Sequence, residues 1–237
     1  MKNLILLLNI LLITSLIQAA RPVKKVCLFA PGSSLTFNAC QDTSMMNQLY
    51  YNGRVWYGKY FNVYGTEFLL EDKWYKADVS INGINFNGVE VKYDIYNDEL
   101  LTNYHRRKII ILNNENIDSF TLYTGNKELY FENLSGKYDL EGHYQVIYEG
   151  KSKLYKKWRK KRAQFVVEAR FDEFQSDDAL IVLSGGETHR LKKRRHLLRL
   201  MNDKKDEVRS YIRHENIRID FANPESLVPV LEYYDTL

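Results

Sequence analysis

Val89-Glu90-Val91-Lys92-Tyr93-Asp94-Ile95-Tyr96 alternates: odd positions through Ile95 are apolar, and even positions through Asp94 are charged. Successive side chains of a strand point to opposite faces. A period of two therefore lays Val89, Val91, Tyr93 and Ile95 on one face, as in a half-buried β-strand. Just upstream, Asp78 to Ile81 is another short run, closed by Asn82-Gly83. The tightest hairpin turns need φ > 0 at both central residues, which Asn and Gly tolerate, so the two runs read as a hairpin.

The same texture continues on both sides. The chain holds 18 Tyr and 11 Phe, and Asn, Asp and Gly punctuate its short apolar runs, which favours strands over helices. A second hairpin fits Phe120 to Tyr123, Gly125-Asn126 and Leu129 to Phe131. A third fits Ala179 to Leu183, Gly185-Gly186 and Thr188 to Leu191. Further strands fit Arg54 to Tyr64, Lys108 to Leu112, Tyr144 to Tyr148 and Phe165 to Phe171. After this the period changes. Leu191, Leu197, Leu198 and Met201 suit a helix ending near Asn202. Asp203 is placed to cap a second helix carrying Val208, Tyr211 and Ile212. A last helix begins near Pro224 or at Ser226. Pro229 forces a choice between a first-turn position and a kink. Strands first and helices last predict an α+β fold, mainly an antiparallel β-sheet or sandwich with a short C-terminal helical segment.

The ends set the organisation. Met1-Lys2-Asn3, the apolar run Leu4 to Ile17 and the small residues Ala19-Ala20 form the pattern of a cleavable signal peptide over 1–20. The apolar run falls short of the roughly 20 residues a membrane-spanning helix needs, so no transmembrane span is expected after cleavage. Residues 21–48 read as a poorly ordered lead-in, 49–191 as a β-rich domain and 192–237 as a helical tail packed on it. Losing Lys2 takes the formal charge from +4 to +3, too mild to select a partner. Export would carry Cys27 and Cys40 into an oxidising compartment, where a disulfide between them is possible, worth about 3 kcal/mol at most for so short a loop. Two separate thiols are the alternative.

Three groups of residues carry a resemblance: Tyr51-Asn52-Gly53-Arg54-Val55-Trp56, Gly65-Thr66-Glu67-Phe68-Leu69 and Tyr93 through Leu101. Asp118 through Leu122, Tyr148-Glu149-Gly150-Lys151 and Pro224 through Val230 with Tyr233-Tyr234-Asp235 extend it over about residues 49–237. The chain thereby resembles a family of uncharacterised exported proteins of Bacteroidetes. The resemblance implies a compartment and a fold type, and it brings no activity and no catalytic residues.

Motifs for chemistry are sparse. His105, His143, His189, His196 and His214 form no zinc-type spacing, and neither a metal nor another cofactor is expected. Gly150-Lys151-Ser152 lacks the Gly that a phosphate loop needs, since position 145 is Gln, and reads as a turn. Asp94, Asp98 and Glu99 cluster, which fits a strand running into a polar turn, a calcium site or a carboxylate pair. Asp94 and Asp98 would lie about 13 Å apart on an extended strand, too far for a pair unless Asn97 bends the chain. The strongest anomaly is basic: positions 151, 153, 156, 157, 159, 160, 161 and 162 are Lys or Arg, with Leu154, Tyr155 and Trp158 between. Arg190-Leu191-Lys192-Lys193-Arg194-Arg195 is a second run.

Burying such charges is costly, so they must be solvated or paired. Lys153, Lys156, Lys157, Arg159, Lys160 and Lys161 are thus candidates for an anion-binding hairpin. The alternative is a strand edge whose lysines block edge-to-edge pairing. Export makes nucleic acid an improbable partner and favours an anionic envelope lipid, lipopolysaccharide or an acidic protein. The expectation is a non-enzymatic envelope binding or accessory protein, periplasmic or associated with the outer membrane. A hydrolase with a site assembled from distant residues is the alternative.

Overall fold

The structure, a computed structural model, describes residues 25–27, 40–58, 60–104, 108–125, 127–164 and 171–237, with side chains described from Met46 on. The expected signal peptide, part of the lead-in, His105 and most of the strand expected at Phe165 to Phe171 lie outside the described residues. The chain divides into two compact units after Leu49. The first contributes β1 (Lys25–Cys27), β2 (Cys40–Asp42) and most of α1 (Thr43–Tyr50). Little regular structure was expected there. β1 and β2 pair antiparallel, with Cys27 directly opposite Cys40.

The second unit is an α+β fold built on one antiparallel sheet of eleven strands. β5 (Tyr75–Ile81), β6 (Ile84–Asp94), β7 (Glu99–Tyr104) and β8 (Lys108–Leu112) form a meander, with β3 (Gly53–Val55) added at its edge. β9 (Ile117–Thr124), β10 (Lys127–Asn133), β11 (His143–Glu149) and β12 (Lys153–Lys157) form a second meander. β5 pairs with β9 to join them, and β15 (Ala179–Ser184) with β16 (Glu187–Leu191) extends the sheet beyond β12. A small sheet is formed by β13 (Lys160–Gln164), β14 (Asp172–Ser176) and β4 (Val63–Tyr64), the last parallel to β14. The single strand expected from Arg54 to Tyr64 is therefore two short ones in different sheets.

The strand that opens the sequence argument is longer than its alternation. Ile84 and Phe86 fall on even positions, whereas Val89, Val91 and Tyr93 fall on odd ones. The register slips between them, where Ala77 faces Val89 and Val79 faces Phe86. A bulge there carries Gly88 at φ 64°, and its N–H donates to Asp78 at 2.7 Å. The turn at Asn82-Gly83 has the two positive φ values that its sequence predicts, 50° and 76°.

The sheet is strongly coiled. β6 and β11 are four strand spacings apart in the hydrogen-bonded order, about 19 Å on a flat sheet. Yet the rings of Tyr93 on β6 and His143 on β11 are 6.1 Å apart, with Phe120 of β9 and Phe131 of β10 packed between. The concave face thus closes on an aromatic core that also buries Ala77, Val79, Leu122 and Val91. The Lys160 N–H reaches the Ile95 carbonyl at 3.4 Å, bringing the chain after β12 back to the end of β6.

The helical tail comprises α2 (Arg194–Leu200), α3 (Lys205–His214) and α4 (Val228–Thr236). Leu197, Leu198, Met201, Val208, Ile212, Leu227, Val230 and Leu231 bury against Leu154, Leu180, Val182 and Leu191 of the sheet. Pro229 falls in the first turn of α4, where its missing N–H costs nothing. Asp203 does not cap α3. It lies in a 3₁₀ turn, and its carboxylate accepts from Tyr234 at 3.1 Å.

Candidate functional site

The β6–β7 turn and the β11–β12 ladder meet at Asp98. Two devices set its position. Asp98 itself adopts φ 59°, a left-handed conformation that Asp tolerates better than most residues. Asp94, just upstream, accepts the backbone N–H groups of Tyr96 and Asn97 at 2.9 Å each and the Asn97 amide at 2.7 Å. Asp94 is thus spent on building the turn. Of the three readings of Asp94, Asp98 and Glu99, the polar turn at a strand end is the one observed, and no group of metal-ligating residues occurs among the described residues.

The Asp98 carboxylate accepts from the Tyr93 hydroxyl at 2.5 Å, the Lys157 ammonium at 2.7 Å and the His143 backbone N–H at 3.2 Å. Lys157 Nζ also donates to the carbonyls of Glu141 at 3.1 Å and His143 at 3.0 Å, which uses all three of its N–H groups. Gly142 makes the approach possible: a Cβ there would lie 1.6 Å from Asp98 Oδ2. The His143 ring places Nδ1 3.4 Å from Asp98 Oδ1, too poorly aligned for a hydrogen bond, and Nε2 has no partner among the described residues. Burial alone would raise the Asp98 pKa. The adjacent His143 and the Lys157 charge outweigh it and hold the carboxyl well below the usual carboxylate range. Burial pulls Lys157 below the ordinary lysine range, against the pull of Asp98. Burial, then the Asp98 charge, push Tyr93 well above the phenol range.

These residue types belong to acid–base chemistry, and His143 borders a cavity of about 450 Å³ with Glu141 and Gly142, but the groups themselves are little exposed. His143 is 1% and Lys157 7% exposed, and a general base must reach the proton it takes. The cluster instead bolts the two meanders together across the coil.

Lys157 is one of six residues expected to contact anions, and its fate is typical. Lys153 pairs with Glu149. Lys156, 8% exposed, lies 3.3 Å from Asp178 and 3.2 Å from the Trp158 ring centroid. Arg159 bonds Asp177 at 2.5 Å, and its N–H bonds Asp178 at 3.1 Å. Lys160 donates to the carbonyls of Thr66 and of Phe68, the latter at 2.9 Å. Lys161 alone of the six is exposed. Lys153 thus has a local partner, and Lys156, Lys157, Arg159 and Lys160 have partners that the fold brings from farther away in the chain. Arg162 likewise pairs with Asp172 at 3.0 Å.

The second run behaves differently. Arg190, Lys192, Lys193, Arg194, Arg195 and Arg199 are all exposed, and none forms an ion pair among the described residues. Arg190 lies on β16, the edge of the large sheet, Lys192 and Lys193 in the bend after it, and Arg194, Arg195 and Arg199 on α2. Between these elements is a cleft of about 570 Å³ with Ser184, Thr188, His189, Arg190, His196 and Arg199 in its wall. Sequence reasoning noted this run and ranked it second.

Compared with protein-family models, with curated proteins and with solved structures, the chain matches none. Among the described residues, no helix is long and apolar enough to cross a membrane.

Proposed function

We propose that the protein is a non-enzymatic binding or accessory protein of the cell envelope, exported by residues 1–20 as in the Bacteroidetes proteins it resembles. It contacts phosphate-bearing anionic surfaces through β16 and α2. The observation that carries this reading is the set of six exposed cations at 190, 192, 193, 194, 195 and 199 that form no ion pair among the described residues, set against a first basic run in which 153, 156, 157, 159, 160 and 162 have partners within the fold. Basic residues near an anionic membrane surface contribute about 1 kcal/mol each. Six of them on one edge suffice for reversible attachment without a spanning helix. The same charges keep an exposed sheet edge from pairing with another chain, so one patch serves both ends. In the oxidising compartment that this reading requires, Cys27 and Cys40 form a disulfide, a pairing supported by their cross-strand register. The hydrolase alternative gains little from the Asp98 cluster, where Lys157 is buried with its three N–H groups all used.

Sedimentation of the purified protein with anionic vesicles tests the reading. Binding at low salt that falls away at about 0.5 M, where the screening length drops to a few ångströms, is the expected result. Negligible binding at both salt levels defeats it.

A further inference from the structure

The geometry points to a site for a small monocarboxylate, an apolar body with one carboxylate head, in a cavity on the concave face of the sheet. Strand register fixes which side chains form its floor. Phe131 of β10 lies opposite Gln145 of β11, and Gln145 lies opposite Lys156 of β12. Directly paired residues share a face of the sheet, as do alternate residues of one strand. Leu129, Gln145 and Lys156 are therefore on the side where Phe131 packs into the aromatic core. Trp158, two residues past Lys156, joins them. Its Nε1–H donates to Gln145 Oε1 at 2.7 Å, and the Lys156 ammonium stands 3.2 Å from its ring centroid. With Leu70, Ile147 and residues 222–225 ahead of α4, these side chains line a cavity of about 260 Å³.

Two donors in this floor are unused. The Trp158 bond holds the Gln145 amide with its oxygen toward the indole, and its NH₂ group makes no hydrogen bond among the described residues. Lys156 makes none there either. Its ammonium faces the Trp158 ring on one side and stands 3.3 Å from Asp178 on another, which leaves at least one of three N–H groups without an acceptor. Gln145 is 6% and Lys156 8% exposed, and donors so buried are costly to leave unmatched. Adjacent across the β11–β12 ladder, they select a ligand head that accepts from both. The wall holds Lys127 and Lys156 against one carboxylate, Glu225, which lies 3.7 Å from Lys127. That balance favours an anionic acceptor, and a carboxylate offers one oxygen to each donor. Leu129, Ile147 and the Trp158 ring beside the donors suit an apolar body. Sites for drug-sized ligands run from about 300 to 1,000 Å³, so this one takes a smaller molecule.

Titration of the purified protein with hexanoate, read by tryptophan fluorescence and calorimetry, tests the site, with hexylamine as the cationic counterpart. Hexanoate is expected to saturate with a Kd of about 1 mM or below, in low salt and in about 0.5 M salt alike, because buried donors are little screened. Hexylamine should bind about tenfold more weakly or not at all. Gln145→Glu keeps an acceptor for the Trp158 N–H and exchanges the free donors for an anionic oxygen, so it should weaken hexanoate by about tenfold or more. Leu129→Phe fills the apolar side of the cavity, leaves every polar group in place and should weaken hexanoate as well. Thermal midpoints near that of wild type show that the variants fold, and either one suffices for the comparison. A variant carrying Arg190→Ala, Lys192→Ala and Lys193→Ala, far from this floor in strand order, should bind hexanoate as wild type does. No saturation by hexanoate, equal binding of hexylamine, or undiminished binding in the folded cavity variants overturns the inference and leaves the anionic-surface reading standing. Loss confined to the Arg190, Lys192 and Lys193 variant assigns the carboxylate to the outer basic patch and overturns it too.

Discussion

At the scale of single residues, Asp98 carries the most consequence. Its carboxylate is the one that pairs with the Lys157 ammonium among the described residues. Removing one partner of a buried pair leaves the other uncompensated, so Asp98→Asn is expected to cost about 3–5 kcal/mol in a denaturant titration. A double change, Asp98→Asn with Lys157→Met, should cost less than Asp98→Asn alone, because Asn keeps the left-handed turn and no buried charge is left uncompensated. The pH dependence has a definite sign. The folded-state pKa of Asp98 lies below its unfolded value of about 3.9, so its stabilisation is complete above about pH 4 and lost as pH falls through the depressed value. The stability gap between wild type and Asp98→Asn should therefore narrow on acidification below pH ~4. A gap that widens there contradicts the assignment. None of this was legible in the sequence. Asp98 and Lys157 are 59 positions apart, and nothing local marks either as the other's partner.

At the scale of elements, local patterns were read well and long-range pairings poorly. The Asn82-Gly83 and Gly185-Gly186 turns, the β9–β10 hairpin and the first-turn place of Pro229 follow from residues a few positions apart. β12 and β13 were read as charge, because their lysines and arginines find partners that only the folded sheet supplies. The Gly150 turn acquires a role the sequence did not suggest. Asp235 of α4 accepts from Tyr148 at 2.9 Å, from the Ser152 N–H at 3.0 Å and from the Ser152 hydroxyl, which pins the last helix to the β11–β12 turn. A Cβ at Gly150 would lie 2.5 Å from Asp235 Oδ2, so the close approach needs glycine. Asp235→Ala strands the Ser152 donors and should lower stability by about 1–3 kcal/mol, read from the urea midpoint. In the first unit, the β1–β2 register sets Cys27 against Cys40, and a slip by one residue would turn them to opposite faces. Under the proposed export, the protein should resist alkylation of both cysteines until reduced. Ready labelling of two thiols without reductant argues against the bridge.

At the scale of the whole molecule, the arrangement of charge separates two basic stretches that look alike in sequence. The first lies where the coiled sheet returns on itself, within reach of Asp98, Asp177 and Asp178. The second lies at the outer edge, where β16 ends the sheet and α2 begins the tail. The distribution of charge, not its total, marks two basic stretches. Topology decides which of them stays a basic surface, because only the order of strands tells which lysines meet carboxylates. The most direct test is anionic-vesicle binding at low salt by two variants. One carries Arg190→Ala, Lys192→Ala and Lys193→Ala, and the other carries Lys151→Ala and Lys161→Ala. At about 1 kcal/mol per surface cation, the first should lose roughly two orders of magnitude in affinity. The second should stay within a few-fold of wild type. Loss of binding in the second with full binding in the first would contradict the account.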